Sequence, residues 1–422
     1  MSVRLGSQPT VILSSYEAIE QAFIKQPIVF NGRYTTFFTK VATENAGIIF
    51  LDDLPKWNLH RRFGLKALGG GGQLGYSVEM IVREEVAQLC DKIKEKVNQP
   101  FVLEKDLFLA IANVIGVLTV GEKPTETKHE ALREKFLEAI TTLRDDNFAY
   151  MMMAVLPWSR FIPPISKNFK HMLGTRDRSN ECLYQIIDDH ASDIEVKHPR
   201  DLVDLYLTEI LDKKQGYTRK HLQHNVADLH VAGTETSTST IRWALLFLVK
   251  YPEVQEKVHQ EIDDIVGKEG KISLHAELHY TRAVIQEVYR IEAVVPLSVP
   301  RRTTKDITFM GYKIPKDTQI IPNIWKVHND PAVWKNPEQF QPERHLDSEG
   351  KFVKLNQVIP FSIGQRNCMG ENLARMEVFL FVVTILQKFQ LCPDPQDPVP
   401  KLGALFGVFH SPEHYRIVFR QR

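Results

Sequence analysis

The residues best suited to chemistry lie in the segment Phe361-Ser-Ile-Gly-Gln-Arg-Asn-Cys-Met-Gly370, where one thiol stands between two glycines. A glycine-free run rich in helix formers follows at Glu371, so the pattern places Cys368 in a tight loop at a helix N-terminus. Because the N–H groups and the dipole at such an end favour negative charge, we expect the loop to stabilise a Cys368 thiolate. Gly364 and Gly370 allow a close approach that a Cβ would prevent.

The same segment suits a flat metal complex held against the sulfur. A haem meets this description: Cys368 would bind the iron, Arg366 would reach a carboxylate on the rim, and Phe361 would pack beside the sulfur. Thiolate ligation pushes electron density onto iron and favours cleavage of the O–O bond. Most lone cysteines are instead small buried hydrophobic residues, which is the alternative for Cys368.

A second reactive segment, Ala232-Gly-Thr-Glu-Thr236, lies inside a proline-free run from 219 to 250 that predicts one long helix. Ala232 and Gly233 are small enough to leave space above a haem face for O2 and substrate. The hydroxyl of Thr236 and the carboxyl of Glu235 could relay protons during oxygen activation. The alternatives are that Thr236 bonds a carbonyl of its own helix and that Glu235 lies on a solvated face.

Helices predominate among the elements that must position these segments. Amphipathic spacing predicts helices at 77–97, 103–120, 130–156, 165–192, 219–250 and 276–292, and Pro252 suits the first turn of another. Short β-rich stretches predict a hairpin within 3–13, small strands near 307–321 and a closing strand at 415–419. We therefore expect a mainly α fold with small β-sheets, in a single domain over 1–422.

The composition is that of an ordinary globular chain. Of its 422 residues, 43% are hydrophobic and 25% charged, and 53 basic residues balance 52 acidic ones to a net charge of +1. This balance argues against nucleic acid as a partner. The four cysteines are far apart, so we expect a reducing compartment and no disulfide or zinc framework. No apolar run approaches the roughly 18–20 residues of a membrane span, and no signal peptide opens the chain.

The pattern Phe-x-x-Gly-x-Arg-x-Cys-x-Gly at 361–370 and the pattern Ala-Gly-x-Glu-Thr at 232–236 resemble the signatures of the cytochrome P-450 family. Stretches such as Val327-His-Asn-Asp-Pro331 and Glu371-Asn-Leu-Ala-Arg-Met-Glu377 are similar to the animal microsomal group around family two. The resemblance covers essentially the whole chain. It implies the cytochrome P-450 fold, with haem b between a long central helix and the loop that carries the cysteine ligand.

The resemblance also implies roles for residues outside these segments. Trp57 and Arg61, one helical turn apart, match the propionate-binding pair of the family. Arg33 and Arg301 match further propionate contacts, although each alone could equally be a surface arginine.

Glu287 and Arg290 lie three residues apart on a predicted helix and, with Arg344, resemble the buried structural triad of the family. The implied role is to hold the fold around the cysteine loop. The alternative is an exposed ion pair worth on the order of 0.5 kcal/mol.

The resemblance places an almost wholly apolar pocket beside the haem, with hydroxyls from Ser298 and Thr236 and no basic residue securely placed to clamp a carboxylate. Such a lining suits a lipophilic substrate, that is a steroid, a fatty acid or a xenobiotic, with a strict fatty-acid enzyme slightly disfavoured. His230, where an aromatic apolar residue is common, either reshapes the pocket or packs through hydrogen bonds. The apolar positions, each of which could singly be ordinary core, are Ile48, Ile49, Phe50, Leu229, Val294, Val295, Leu297, Val299, Val408 and Phe409.

Two departures from the family pattern affect these expectations. The chain begins at the first sheet, so we expect it to lack the N-terminal anchor helix and proline-rich hinge. Gly69-Gly-Gly-Gly72 replaces helical residues after the helix of Trp57, which predicts altered local order on the surface that faces the reductase.

The resulting prediction is a haem-thiolate monooxygenase that inserts one oxygen atom of O2 into a lipophilic substrate and reduces the other to water. The implied electron source is NADPH through NADPH-cytochrome P-450 reductase, with cytochrome b5 as an optional second donor. The family places such enzymes on the cytosolic face of the endoplasmic reticulum membrane. Two alternatives stay open: an isomerase or dehydratase of fatty-acid hydroperoxides, which the intact Glu235–Thr236 pair disfavours, and a non-catalytic haem-binding protein.

Overall fold

The fold is mainly helical, as the sequence predicted. The computed structural model describes residues 1–69, 77–125 and 147–422. Single turns of π-helix (Gln21–Lys25) and 3-10 helix (Pro157–Phe161 and Pro342–His345) supplement the α-helices. The helices are α1 (Tyr16–Glu20), α2 (Pro27–Phe30), α3 (Phe37–Thr43), α4 (Leu54–Leu68), α5 (Val78–Lys94), α6 (Glu104–Val120), α7 (Asn147–Val155), α8 (Ile165–Asp193), α9 (Leu202–Leu211), α10 (Arg219–Lys250), α11 (Pro252–Ile265), α12 (His279–Ile291), α13 (Ile324–His328) and α14 (Glu371–Lys388).

The strands form small sheets at the margins of the helices. They are β1 (Ser2–Leu5), β2 (Gln8–Leu13), β3 (Gly32–Arg33), β4 (Pro100–Phe101), β5 (Arg301–Arg302), β6 (Ile307–Phe309), β7 (Tyr312–Ile314), β8 (Gln319–Pro322), β9 (Phe389–Pro393), β10 (Ala404–Phe406), β11 (His410–Pro412) and β12 (Ile417–Gln421). A five-stranded sheet has the order β1-β2-β8-β5-β3, and a three-stranded sheet has the order β4-β12-β9. Two antiparallel hairpins, β6-β7 and β10-β11, complete the described strands.

The central helix α10 has the bounds that its sequence predicted. Thr218 caps its N-terminus, where the side-chain oxygen accepts a hydrogen bond from the backbone N–H of His221. It ends at Lys250 because Pro252, in the first turn of α11, disfavours the helical conformation for the preceding Tyr251. Most of its C-terminal half is buried, so α10 is a core element around which the other helices pack.

The largest apolar core joins α10 to α5, α6, α12 and α14. Trp243 and Phe247 of α10 are fully buried, and so is Phe381 of α14. A buried polar contact joins the long helix to the helix that follows the cysteine loop: the Ser237 hydroxyl donates to Glu377 Oε2 at 2.7 Å. The two reactive segments are therefore carried by two helices in direct contact.

Some sequence predictions need correction or lie outside the described residues. The helix predicted at 276–292 begins only at His279, after a turn at 274–275 and three irregular residues. Of the helix predicted at 130–156, the structure describes α7, and the part before residue 147 lies outside the described ranges, as do Gly70, Gly71 and Gly72. None of the helices in the described ranges combines the length and the apolar content that crossing a membrane requires.

Candidate active site

The cysteine loop closes on itself through backbone hydrogen bonds. The N–H of Cys368 donates to the carbonyl of Phe361 at 2.9 Å, and the N–H of Asn367 donates to Gly364 at 3.1 Å. Gly364 has a φ of 81°, and a Cβ there would lie 2.3 Å from the carbonyl oxygen of Phe23, so only glycine fits. At Gly370 an added Cβ would meet no described atom within 4 Å, so the predicted close approach is wrong for this glycine within the described residues.

The protonation of Cys368 differs from the sequence-based expectation. The side chain is exposed, yet the polypeptide around it desolvates the sulfur, and this burial raises the pKa of the Cys368 thiol. The N–H of Gly370 and the guanidinium of Arg61 act in the opposite direction without outweighing burial. The prediction that the helix end stabilises a thiolate is therefore wrong. A bound metal ion would supply the missing stabilisation, because a coordinating thiol is deprotonated outright.

Four arginines from four parts of the chain converge at this loop. The Arg61 guanidinium donates to Asn367, the neighbour of Cys368, at 2.9 Å to the backbone oxygen and 2.5 Å to the side-chain oxygen. Arg366 stacks 4.0 Å from the centre of the Trp57 ring, and its Nε donates to the Asn31 carbonyl at 3.1 Å. Among the described residues its Nη1 and Nη2 have no hydrogen-bond partner, although they are buried.

The other two arginines are also buried, and their guanidinium groups donate to neutral backbone carbonyls. Arg301 donates from Nη2 to the Ile363 carbonyl at 2.9 Å, and its buried Nη1 has no partner within the described ranges. Arg33 donates to the Val299 carbonyl at 2.9 Å. Burial, with mutual repulsion, lowers the pKa of Arg366 to about 8 and of Arg33 to about 10, and lowers the pKa of Arg301 strongly.

This arrangement is suited to a ligand that is anionic and that contains a metal ion able to bind a thiolate. Buried guanidinium N–H groups without partners are costly unless an anion accepts from them. The two propionates of haem b are such anions, and the thiol of Cys368, an exposed residue, is the matching ligand. The residues present therefore fit haem. Arg33 and Arg301 are buried, so the alternative of plain surface arginines is wrong for both.

The residues predicted to relay protons during oxygen activation lie on α10. Thr236 donates its hydroxyl to the Ala232 carbonyl at 2.6 Å, which is the back-bonding alternative. Glu235 is 2% exposed, so the alternative of a solvated face is wrong. Its carboxyl oxygen Oε1 accepts from the hydroxyls of Ser239 at 3.1 Å and Ser411 at 3.2 Å.

Gly233 has a packing role that the sequence analysis did not predict. A Cβ at this position would lie 2.7 Å from Cδ1 of Ile115, so the glycine lets α6 approach α10 closely. The predicted role of Gly233 beside the haem stays a prediction. Ala232 remains partly accessible, and its predicted role beside the haem stays a prediction.

The predicted pocket residues come from four separate segments. Val294, Val295 and Phe409 pack on one apolar core, whereas Leu229 packs on a different cluster, with Phe63 and Tyr206. The side chains of Leu297 and Val408 are largely exposed, at 48% and 59%.

A described cavity of about 280 Å³ contains only one of the predicted pocket residues, Phe50. Its other lining residues are mostly polar: Thr35, Asn45, Leu51, Asp52, Asp53, Lys56 and His221. The role of the ten positions in binding substrate stays a prediction.

Asp228 is a site residue that the sequence analysis missed. Its Oδ2 accepts from the backbone N–H groups of Ile48 at 2.7 Å and Ile49 at 2.9 Å, which fixes this predicted pocket segment on α10. Burial raises the pKa of Asp228 to about 7, while the two backbone N–H groups act to lower it. The sequence signal was a lone carboxylate in the apolar run Val226-Ala-Asp-Leu229.

His230 packs through hydrogen bonds, the second of its two predicted alternatives. Its Nδ1 lies 2.9 Å from the Val226 carbonyl, and its Nε2 lies 3.3 Å from the Thr119 hydroxyl on α6. Burial lowers the pKa of His230 to about 4, so the ring is neutral at physiological pH.

The three residues of the predicted structural triad do meet. Arg290 Nη2 lies 2.7 Å from Glu287 Oε1, and Arg344 Nε lies 3.3 Å from the same oxygen. His345, which the sequence analysis missed, adds a contact of 2.9 Å to Glu287 Oε2. The alternative of an exposed pair is therefore wrong.

Comparison with known proteins points in one direction. A family model described as cytochrome P-450 matches residues 1–419. Cytochrome P-450 2U1 of Homo sapiens is 32% identical over 430 residues, which are 99% of this chain and 78% of that protein. Cytochrome P-450 2J2 of Homo sapiens is 34% identical over 425 residues, which are 99% of this chain and 83% of that protein. Steroid 17-alpha-hydroxylase/17,20 lyase of Rana dybowskii is 31% identical over 438 residues, which are 100% of this chain and 83% of that protein.

Proposed function

The chain belongs to the cytochrome P-450 family, whose haem b is held by a cysteine thiolate, and we propose that it oxygenates a lipophilic substrate with electrons from NADPH. It is a haem monooxygenase by family; the substrate class and the electron donor are the proposed part. The observation that carries the proposal is the cluster of buried, partly unpartnered arginines beside the thiol of Cys368, an exposed residue. The whole chain, 1–422, would form one haem domain.

The roles of the chain's residues follow from the geometry. Cys368 would ligate the iron. The guanidinium groups of Arg33, Arg61, Arg301 and Arg366 would bind and neutralise the propionates, and the neutral indole N–H of Trp57 would donate a hydrogen bond to one of them. When bound, the haem supplies the activation of O2. Glu235 would hold and deliver protons from α10, and Thr236 would orient them toward the reaction.

The substrate class is inferred from the apolar character of the predicted pocket residues. Val294, Val295 and Phe409 share one apolar core, and Ile48 and Ile49 are fixed to α10 by Asp228. A steroid, a fatty acid or a xenobiotic would suit such residues. The frog relative named as a steroid hydroxylase supports a rigid lipophilic substrate without excluding the others.

The proposed partners are NADPH-cytochrome P-450 reductase and cytochrome b5, at the cytosolic face of the endoplasmic reticulum. Exposed apolar side chains support a membrane surface as the location. Trp158, Phe161 and Ile162 are 57%, 71% and 43% exposed and follow directly after α7, so they could enter a lipid interface together.

The test is to measure the reduced, CO-bound spectrum and then turnover with NADPH and added reductase on a panel of steroids, fatty acids and xenobiotics. A thiolate-type spectrum with NADPH-dependent oxygenated product supports the proposal. Rearrangement of a fatty-acid hydroperoxide without reductase, and no NADPH-dependent product, would instead indicate an isomerase or dehydratase. A thiolate spectrum with neither activity would indicate a non-catalytic haem protein.

A further inference from the structure

Arg61 differs from two of the other arginines at the cysteine loop in what its guanidinium group contacts. Within the described ranges, the buried Nη1 and Nη2 of Arg366 and the buried Nη1 of Arg301 have no hydrogen-bond partner. Arg61 instead directs both Nη groups at Asn367: Nη1 donates to the backbone oxygen at 2.9 Å, and Nη2 donates to the side-chain oxygen Oδ1 at 2.5 Å. The guanidinium therefore holds this one residue in a bidentate manner, and its further N–H groups stay available to a propionate.

The residue that Arg61 holds is the immediate neighbour of the cysteine ligand. Asn367 precedes Cys368 in the chain, and its own backbone N–H donates to the Gly364 carbonyl at 3.1 Å. Arg61 lies in α4, 306 positions away from Asn367. The backbone of Asn367 is thus fixed within the loop, and its two oxygens fix the loop to α4.

Arg61 also brings a positive charge close to the sulfur. Arg61 and Cys368 interact electrostatically, and the Arg61 side chain is partly buried, where solvent ions screen a charge less than at an exposed site. Reduction of a haem iron adds an electron, so a positive charge held near the iron and its thiolate stabilises the reduced form and raises the reduction potential. The position of the Arg61 guanidinium therefore matters for the iron as well as for the propionates.

The Arg61 guanidinium is held in a crowded place. Its Cζ lies 5.5 Å from the centre of the Trp57 ring, whereas Arg366 stacks closer to the same ring, at 4.0 Å. The positive charges of Arg33 and Arg366 repel Arg61, which favours movement of its guanidinium out of the cluster. The Oδ1 atom of Asn367 opposes this movement, because a hydrogen bond to a charged donor is stronger than one between neutral groups.

We propose that Asn367 is a positioning residue: its Oδ1 atom holds the Arg61 guanidinium beside Cys368, so that the charge of Arg61 raises the reduction potential of the iron. The inference rests on the proposed function only through its haem, and it does not depend on the substrate class or the electron donor. An asparagine is a neutral acceptor and leaves the charge of Arg61 uncancelled. An aspartate would hold the guanidinium as well but would neutralise it.

The experiment is a chemical redox titration of the purified haem protein, with the rate of haem loss to excess apomyoglobin as a second readout. Asn367→Ala should shift the reduction potential to a more negative value and release haem about tenfold faster, because a hydrogen bond to a charged group is lost. Asn367→Asp should also shift the potential to a more negative value but keep the wild-type rate of haem loss. Ser362→Ala is the matched control, since this buried hydroxyl of the same loop has no hydrogen-bond partner among the described residues, and both readouts should stay at wild-type values.

A double-mutant cycle shows whether the effect passes through Arg61. Arg61→Gln should itself shift the potential to a more negative value, and Asn367→Ala should add no further shift in that background. If Asn367→Ala retains no haem, Asn367→Leu replaces it, because leucine keeps the side-chain volume without an acceptor.

The proposal is overturned if loss of the Asn367 acceptor leaves the potential at its wild-type value, even when haem is lost faster, because Asn367 would then be a structural residue only. It is also overturned if the shift is equal with and without Arg61. Absence of NADPH-dependent turnover would refute the proposed function instead, and both readouts would still test Asn367, since neither needs substrate or reductase.

Discussion

The guanidinium of Arg290 and the carboxylate of Glu287 are both completely buried, and two hydrogen bonds of 2.8 and 2.7 Å join them. Although burial acts to raise the pKa of Glu287, the hydrogen bonds from Arg290 and His345 bring it below its ordinary value. Arg290 also donates to the His328 carbonyl at 2.8 Å, and His328 Nε2 accepts from the backbone N–H of Ile359 at 2.8 Å. Two contacts therefore connect the ion pair to the start of the cysteine loop.

We expect Glu287→Ala or Arg290→Ala to destabilise the protein by about 3–5 kcal/mol, because either change leaves an uncompensated buried charge. The cysteine loop should lose its support, and haem content should fall with stability. Chemical denaturation and haem content per chain measure both effects. Lys94→Ala is the control, since its pair with Asp91 is exposed and contributes little to stability. Equal stability of the Glu287 and Lys94 variants would contradict the structural role.

Cys368→Ser should abolish the thiolate-type CO spectrum. The serine hydroxyl is a far weaker donor to iron, while Arg33, Arg61, Arg301 and Arg366 remain to bind propionates, so some haem should stay bound. The spectrum of the reduced, CO-bound protein checks this. Cys392→Ser, which changes a thiol in β9, should keep the wild-type spectrum. Persistence of that spectrum in Cys368→Ser would show that another residue ligates the iron.

Local sequence was sufficient to predict the elements that carry the site. The lack of proline from 219 to 250, with Pro252 beyond, determines α10, and the glycines at 364 and 370 mark the loop before α14. The pairing of Glu287 with Arg290 follows from a spacing of three residues on a helix. Each of these predictions depends on neighbours in the chain.

The contacts that the sequence did not predict connect distant residues or depend on burial. Ser411 meets Glu235 and Asp228 meets Ile48 across 176 and 180 positions, and no local periodicity encodes such a meeting. The pKa of Cys368 was predicted in the wrong direction, because burial outweighs the helix end, and burial is a property of the packed fold.

The raised pKa of Asp228 predicts a specific pH dependence of the free energy of unfolding. Its pKa of about 7 in the folded protein exceeds its ordinary value of 3.8, so its ionisation destabilises the fold as the pH rises through this window. Asp228→Asn keeps an oxygen acceptor for Ile48 and Ile49 and removes the titration. The stability of this variant relative to wild type should therefore increase from pH 5 to pH 8, by about 1–3 kcal/mol.

Thermal or denaturant unfolding at several pH values measures this difference. Asp228→Ala is the control for the hydrogen bonds themselves: it should lose about 1 kcal/mol or more at every pH, because two backbone N–H groups lose their acceptor. Parallel pH–stability curves for wild type and Asp228→Asn would mean that the carboxyl is solvated and titrates normally.

Thr236 should determine the amount of oxygenated product formed per NADPH consumed. Incomplete proton delivery releases reduced oxygen as hydrogen peroxide in place of product, and a hydroxyl one residue after Glu235 can orient the proton or a water that carries it. Thr236→Ala should bind haem and substrate nearly normally and still consume NADPH, while hydrogen peroxide per NADPH rises at least about threefold. Thr236→Ser should retain more coupling because the hydroxyl remains.

The Thr236 hydroxyl also donates to the Ala232 carbonyl, so Thr236→Ala removes this bond as well. A control variant should therefore lose a similar bond at a position that is not predicted to act on protons. Thr240 supplies it: its hydroxyl donates to the Thr236 carbonyl at 2.9 Å, one turn further along α10. Thr240→Ala should keep wild-type coupling if Thr236 acts on protons, and should uncouple as strongly as Thr236→Ala if both hydroxyls only shape the helix. NADPH, product and hydrogen peroxide are measured together with added reductase. Equal coupling in wild type and Thr236→Ala would leave proton delivery to Glu235.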